Sequence, residues 1–191
     1  SALLASWTPP STQGAEARTT NVVIGNAATA AASACAQARR EGFAAEVLDA
    51  PFIGEARDVG QHLARHLAAK LPLALRPACL IAYGESTVSL GQDPGKGGRN
   101  QELALAAANQ IAGMKGCLLV ALATDGEDGP TDAAGAVVTD LTNASGTARG
   151  MRTEDYLARH DAYHYFEALG DLLKPGPTGT NVNDLVVMFA L

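Results

Sequence analysis

Four stretches combine glycine with charged, hydroxyl and amide side chains, and each abuts an apolar run. They are Gly84-Glu85-Ser86-Thr87, the run from Gly95 through Lys96, Gly97, Gly98, Arg99, Asn100 and Gln101 to Glu102, the run Thr124 to Asp132, and the run Gly176 to Asp184. In the second stretch the glycines let a backbone approach a phosphate closely. A helix starting near Asn100 would point free N–H groups at that phosphate. Arg99 can add a bidentate contact, and Lys96 reads as a surface charge. The plain alternative is a flexible turn with an N-cap at Asn100. The third stretch gathers Asp125, Asp128 and Asp132 with Glu127 nearby. Carboxylates in a glycine-rich turn suit Mg²⁺, which takes one or two of them plus phosphate oxygens. They can also orient or deprotonate a substrate hydroxyl, or serve only as turn and cap residues.

Standard motifs mostly fail, which narrows the chemistry. Gly91 to Lys96 is one residue short of a P-loop, and Gly97 follows the lysine instead of Ser or Thr. The turn after the first expected strand offers only Gly25, so the dinucleotide fingerprint is missing. Gly84 to Val88 lacks the last glycine of a nucleophile elbow. The aspartate cluster puts Gly129 where a calcium loop needs a ligand. His62 with His66, and His160 with His164, stand four apart; without a following Glu at His62 both pairs read as solvated helix faces.

These stretches need elements to hold them. Asn21 to Ile24 predicts a strand, Ala27 to Glu41 a helix ending at Gly42, and Ala44 to Leu48 a second strand, a small βαβ unit. Glu55 to Lys70 predicts a helix with Val59, Leu63 and Leu67 on one stripe, closed by Pro72 and Pro77. Ala78 to Tyr83 and Thr87 to Leu90 predict two adjacent strands, Asn100 to Ala112 a helix, and Cys117 to Ala123 a fully apolar central strand. Ala136 to Thr139 and Leu185 to Ala190 predict further strands, and Thr153 to His160 and Ala162 to Leu173 two helices. The expectation is an α/β fold, a mixed, mostly parallel sheet flanked by helices as a three-layer sandwich. Ligands in such sheets sit at the carboxyl ends of strands; the first and third stretches leave such ends, while the fourth precedes its strand. Residues 1–20 read as a tail or the end of a preceding domain, with Trp7 as a packing contact. Residues 21–75 form a βαβα segment, expected to pack with 76–191 as one unit.

The 191 residues suit one domain or one domain with an attached piece. A formal charge of −6 gives no basic footprint, so nucleic acid is not expected as a partner. No apolar run approaches the ~20 residues of a membrane helix. No signal peptide is visible, and a cytoplasmic location is expected. Cys35, Cys79 and Cys117 lie among apolar residues and read as buried reduced thiols. Ser1 in place of Met raises the expectation of a longer parent protein.

Taken together, Gly97-Gly98-Arg99-Asn100-Gln101-Glu102, Thr124-Asp125-Gly126, Asp128 to Gly135 and Gly176 to Asp184 closely resemble the class II glycerate kinases, which end in the module called MOFRL. Ile24-Gly25-Asn26 and Gly84 to Val88 join the resemblance, which runs from about Asn21 to Leu191. Tyr83-Gly84 departs from the usual pair of glycines, and Ser86 stands where Thr is usual. The resemblance implies a two-domain α/β enzyme with an interdomain site. It implies transfer of the ATP γ-phosphoryl group to D-glycerate, giving 2-phosphoglycerate, with Mg²⁺. The family's amino-terminal domain, which adds a lysine to the site, is not in this sequence, so the chain alone is expected to be inactive. Under this reading Arg99, Asp125 and Asp128 are the catalytic residues, with Asp125 and Asp128 also the metal ligands. Glu85, Gly97, Gly98, Asn100, Thr178, Thr180 and Asn181 bind substrate or phosphate, while Asp132, Asp184 and Glu102 only brace loops or the helix dipole. A homodimer is carried as an expectation. Family members are often labelled hydroxypyruvate reductase, so an NAD(P)H-dependent reductase and a non-catalytic sugar-acid or nucleotide binding module stand as alternatives.

Overall fold

The structure, a computed structural model, describes residues 20, 22–70 and 77–191. Their elements run α1 Ala27–Arg40, β1 Ala44–Val47, β2 Phe52–Glu55, α2 Ala56–Lys70, β3 Ala78–Thr87, α3 Arg99–Ile111, β4 Cys117–Ala123, β5 Gly135–Thr139, α4 Thr142–Ala148, α5 Thr153–Ala158, α6 Ala162–Leu169, β6 Leu172–Leu173 and β7 Asp184–Ala190. The strands form one sheet in the order β1-β3-β7-β4-β5-β6, with β2 also paired to β3. Gly84 pairs with Phe52 on one side and Asp184 on the other, so β1 and β2 follow one another along the same edge of β3.

The mixed α/β fold stands, but the parallel character is partial. Only β1 and β2 run parallel to β3; the β3–β7, β7–β4, β4–β5 and β5–β6 pairings are antiparallel. The reason is β7. It returns from the fourth glycine-rich stretch and inserts between β3 and β4, opposite to both. That insertion brings the carboxyl ends of β3 and β4 and the amino end of β7 to one edge of the sheet. Gly84, Ala123 and Asp184 are in register there.

Side chains alternate across the strands. Ala78, Leu80, Ala82, Leu119, Ala121, Val186 and Met188 face α2 and α3 in the larger core. Cys79, Ile81 and Leu185 face α1 through Ala31 and Cys35. All three cysteines are buried, and none forms a disulfide among the described residues. Helix α3 is buried on all sides from Asn100 to Ala108, which its alanines permit by letting α2 and the sheet approach closely. No helix among the described residues is long and apolar enough to cross a membrane.

Several local expectations change. Val22 to Ile24 form no strand and are 73 %, 77 % and 96 % exposed; their β-branched side chains lack a neighbouring strand, and Asn21 lies outside the described residues. The βαβ unit is therefore not formed, and α1 begins at its own cap, Asn26 Oδ1 accepting from Thr29 N at 2.8 Å. Thr87 to Leu90 is no separate strand: β3 runs unbroken through Gly84-Glu85-Ser86 to Thr87. β2, β6 and α4 were not expected. α6 stops at Leu169 because Gly170 turns left-handed at φ 81°. β4 is apolar on both faces and lies inside the sheet between β7 and β5, as expected, with Leu118, Val120 and Leu122 half-buried on its second face. The reading of residues 1–19, including Trp7, and the Pro72 stop lie outside the described residues.

Gly60 marks the closest approach of α2 and α3: a Cβ there would stand 2.2 Å from the Leu103 carbonyl oxygen. Gly60→Ala adds helix propensity of about 1 kcal/mol, yet the backbone contact forces the helices apart at a cost of about 1–3 kcal/mol. A net destabilisation, read as a lower urea midpoint, is expected; an equal or higher midpoint would refute this packing argument.

Candidate active site

The end of the sheet where Gly84, Ala123 and Asp184 meet opens into a cleft of about 730 Å³. Its walls come from the end of β3 with Val88 after it, from Pro94, Gly95 and Gly97 to Arg99, from Asp125 and Glu127 to Pro130, and from Asn181. Antiparallel β7 thus settles the place of the fourth stretch beside the others.

The first residues of α3 organise this wall. The helix has Gly98 as its N-cap, with no side chain to offer. Asp128, 28 residues beyond Asn100, takes that role: its Oδ1 accepts from Asn100 N at 3.1 Å and its Oδ2 from Gln101 N at 2.9 Å. Asn100 Nδ2 adds a longer contact at 3.3 Å. Asp128 is 2 % exposed. Glycine at 98 is required, since a Cβ would lie 2.3 Å from the Asp128 Cγ. This corrects the expectation of free α3 N–H groups aimed at phosphate. Asn100 and Gln101 already hold an internal carboxylate, so Asp128 is an anchor with both oxygens engaged. Burial lifts its carboxyl from an ordinary 3.8 to about 6, although the bonds from Asn100 and Gln101 pull it down.

Arg99 projects from the same turn and is held from two sides. Its Nε and Nη2 donate to Asp184 Oδ2 and Oδ1 at 2.7 and 3.0 Å, and Nη1 donates to Glu85 Oε1 at 2.7 Å. Asp184, the first residue of β7, is fully buried. Burial raises its carboxyl above the ordinary range, with the Arg99 bond pulling back. Burial also works against the Arg99 charge, but Asp184 and Glu85 outweigh it and hold the guanidinium charged. Two of the five guanidinium N–H groups remain for a ligand. Asp184 therefore does more than brace a loop: it fixes the cation.

Asp125 is partly buried and lines the cleft. Its Oδ2 accepts from Asn181 Nδ2 at 2.9 Å and its Oδ1 from Glu127 N at 3.2 Å. The Thr178 hydroxyl donates to the Thr124 carbonyl at 2.6 Å, and Thr180 N approaches that hydroxyl at 3.4 Å. Thr178, Thr180 and the fully buried Asn100 lie outside the lining and lace the loops together. Glu85, Gly97, Gly98, Arg99, Asp125, Asp128 and Asn181 line it. Asp132 is drawn away from the cleft into a contact with the Tyr163 hydroxyl at 2.7 Å and Lys174 at 3.0 Å, which hold its carboxyl down at about 2.

Glu102 and His160 also line the cleft, and sequence reading did not place either there. His160 is no helical partner of His164: it stands at φ +54 in the corner between α5 and α6. His164 instead contacts Asp161 at 2.5 Å. Of the other pair, His62 is exposed, whereas His66 is half-buried and its covered Nε2 has no partner among the described residues. The legible signal for Glu102 was an acidic residue inside an otherwise small and apolar helical run.

A glycine-rich cleft wall with a clamped arginine at a helix start, on this mixed sheet, defines a MOFRL-type module. The MOFRL family pattern matches residues 78–184, and the chain belongs to that family. It is 41 % identical over 168 residues to D-glycerate 2-kinase of Thermotoga maritima, covering 86 % of this chain and 40 % of that protein. It is 37 % identical over 170 residues to glycerate 2-kinase of Pyrococcus horikoshii, covering 87 % and 38 %. A crystal structure of glycerate kinase from Thermotoga maritima superposes with a TM-score of 0.84 at 39 % identity, covering 87 % of this chain and 41 % of that one. Two relatives of Agrobacterium vitis, 42 % and 40 % identical, carry a provisional hydroxypyruvate reductase name. The chain spans about 40 % of the length of the first two relatives.

The buried Asp128 gives a pH prediction. Its folded-state carboxyl titrates above its unfolded value, so the folded state holds the proton more tightly. That contribution is present at low pH and lost as pH rises from 3.8 through about 6. Between pH 4.5 and pH 7 the loss is about 2 kcal/mol. Urea unfolding at those two pH values is expected to show this decline in the native chain and a flatter one in Asp128→Asn; parallel declines would refute it.

Proposed function

We propose that this chain is the carboxy-terminal part of an ATP-dependent glycerate 2-kinase, which transfers the ATP γ-phosphoryl group to D-glycerate to give 2-phosphoglycerate. The observation that carries the proposal is the convergence of the glycerate-kinase-like strings on one cleft around Arg99. The relatives named glycerate 2-kinase support it.

Phosphoryl transfer asks a protein mainly for positioning and charge stabilisation. Arg99, with the backbones of Gly97 and Gly98, holds phosphate oxygens or the substrate carboxylate. Glu85 and Asp184 keep its plane fixed. Asn181 orients Asp125, and Thr178 and Thr180 hold the loop that carries Asn181. Mg²⁺ fits Asp125: the carboxylate lines the cleft, and each oxygen keeps a lone pair beyond its one hydrogen bond. It does not fit Asp128, whose oxygens are both engaged and buried. When bound, the ion supplies positive charge against the phosphate oxygens.

The lining carries Glu85, Glu102, Asp125, Glu127 and Asp128 against Arg99 as its one full cation among the described residues. A nucleotide triphosphate needs more positive charge than this wall provides. The reading therefore assigns further cations to the additional length found in the relatives, and residues 21–75 and 76–191 act as one unit opposite it. The chain alone is then inactive, and the intact enzyme is cytoplasmic.

The test is an assay of the full-length protein with ATP, Mg²⁺ and D-glycerate. Turnover is expected there and not with the 191-residue chain alone. Arg99→Ala is expected to lower kcat/KM by about 10²–10³. A change within a few-fold would remove Arg99 from the mechanism. NADH oxidation with hydroxypyruvate, and no phosphate transfer, would replace the kinase by the reductase.

A further inference from the structure

A second cluster in the same cleft has no part in the scheme above. Glu102 follows Arg99 by three residues, so both side chains leave neighbouring positions on α3. Its carboxylate is 5 % exposed and meets Arg57 Nε at 2.5 Å. His160 Nδ1 lies 3.0 Å from Glu102 Oε2 and 3.2 Å from Oε1. The His160 side chain is 15 % exposed and lines the cleft.

The position of Nδ1 against both oxygens of one carboxylate selects the tautomer. Without a proton, its lone pair would face theirs; with one, it donates a hydrogen bond. Arg57 Nη2, a donor with two N–H groups, donates to the Leu157 carbonyl and also lies 2.9 Å from Nδ1; against that one donor stand the two Glu102 oxygens, whose contacts call for Nδ1–H, and Arg57 Nε donates to Glu102 itself. Nδ1–H on the carboxylate leaves Nε2 with a free lone pair. A carboxylate that fixes a histidine in this way is the arrangement that lets imidazole accept a proton during a reaction.

We propose that His160, held by Glu102, is the base that takes the proton from the attacking hydroxyl of glycerate. Glu102 is the positioning residue behind it. The proposal rests on the kinase reading of the cleft. As the substrate oxygen forms its bond to the γ-phosphorus, the bond from that phosphorus to the bridging oxygen breaks. The electron pair leaves with the nucleoside diphosphate, and the hydroxyl proton passes to His160 Nε2 and then to solvent. The charged groups around the imidazole are Glu102 from α3, Arg57 from α2, and Arg159 and Asp161 beside it on its own corner. Glu102 faces the imidazolium that forms, and Arg57 holds Glu102 in place.

The experiment uses the full-length enzyme with His160→Asn. Asparagine takes a left-handed backbone readily, so the corner at φ +54 is kept. The expected result is a kcat lower by about 100-fold with KM for ATP and glycerate changed less than about threefold. The acidic limb that an imidazole base gives to the kcat profile between about pH 5 and 8 flattens. Glu102→Gln gives a smaller loss of kcat. A His160→Asn enzyme with kcat within about threefold of wild type, or with the acidic limb intact, overturns the proposal. So does ring-nitrogen NMR of the wild type that finds the proton of the neutral imidazole on Nε2. A wild-type enzyme that transfers no phosphate to glycerate strikes the kinase reading instead.

Discussion

The bond network between Asp128 and the start of α3 is the constraint on which the site depends. A helix start leaves backbone N–H groups without partners, and a buried start must find them. The chain has no side chain at Gly98 to supply a cap. It supplies one from the next glycine-rich loop, and the absence of a Cβ at Gly98 is what admits the Asp128 carboxylate. Thr131 extends the tie, its hydroxyl meeting both Gln101 Nε2 and the Asp128 carbonyl. Two loops that are far apart in sequence become one rigid body, and the direction in which Arg99 and Glu102 leave α3 is set by it.

That solution limits what the wall can bind. A helix start is an anion site when its N–H groups are free. Here a resident carboxylate occupies two of them. The positive character left to the wall is Arg99, and two carboxylates already share it. The arrangement holds the guanidinium plane rigid at the expense of net charge, so the wall favours directed hydrogen bonding to one anionic group over attraction of a polyanion.

Much of this was legible in the sequence, and the losses have physical causes. The glycine-rich strings, β4, α3 and β7 could be read because their signals are local: composition, apolar runs and turn residues. Three features could not be read locally. The sheet direction depends on where β7 inserts, and an apolar run of seven residues looks alike in either orientation. The role of Asp128 depends on a contact across 28 residues; a loop aspartate free to meet a metal and one buried under a helix have the same neighbours in sequence. His160 and His164 share the four-residue spacing of a helix face, but Asp161 and Ala162 begin a new helix between them. The corner turns His160 toward Glu102, 58 residues away. β2 was missed because Phe52 to Glu55 is too short to show a period, and only the exposed end of β3 gives it a partner.

The same strand that reverses the sheet also completes the site. β7 begins at Asp184, and Asp184 is at once the residue in register with Gly84 and Ala123 and the bidentate partner of Arg99. A buried carboxylate is costly without a partner, and Arg99 is the partner that makes its position tolerable. The two requirements lock together. The strand cannot seat fully without bringing its carboxylate to the guanidinium, and the guanidinium has no fixed plane until the strand is seated. Gly126 adds a steric check on the same event, since a Cβ there would stand 2.1 Å from the Gly176 carbonyl oxygen. The last strand in sequence is therefore the one that sets the geometry of the cleft.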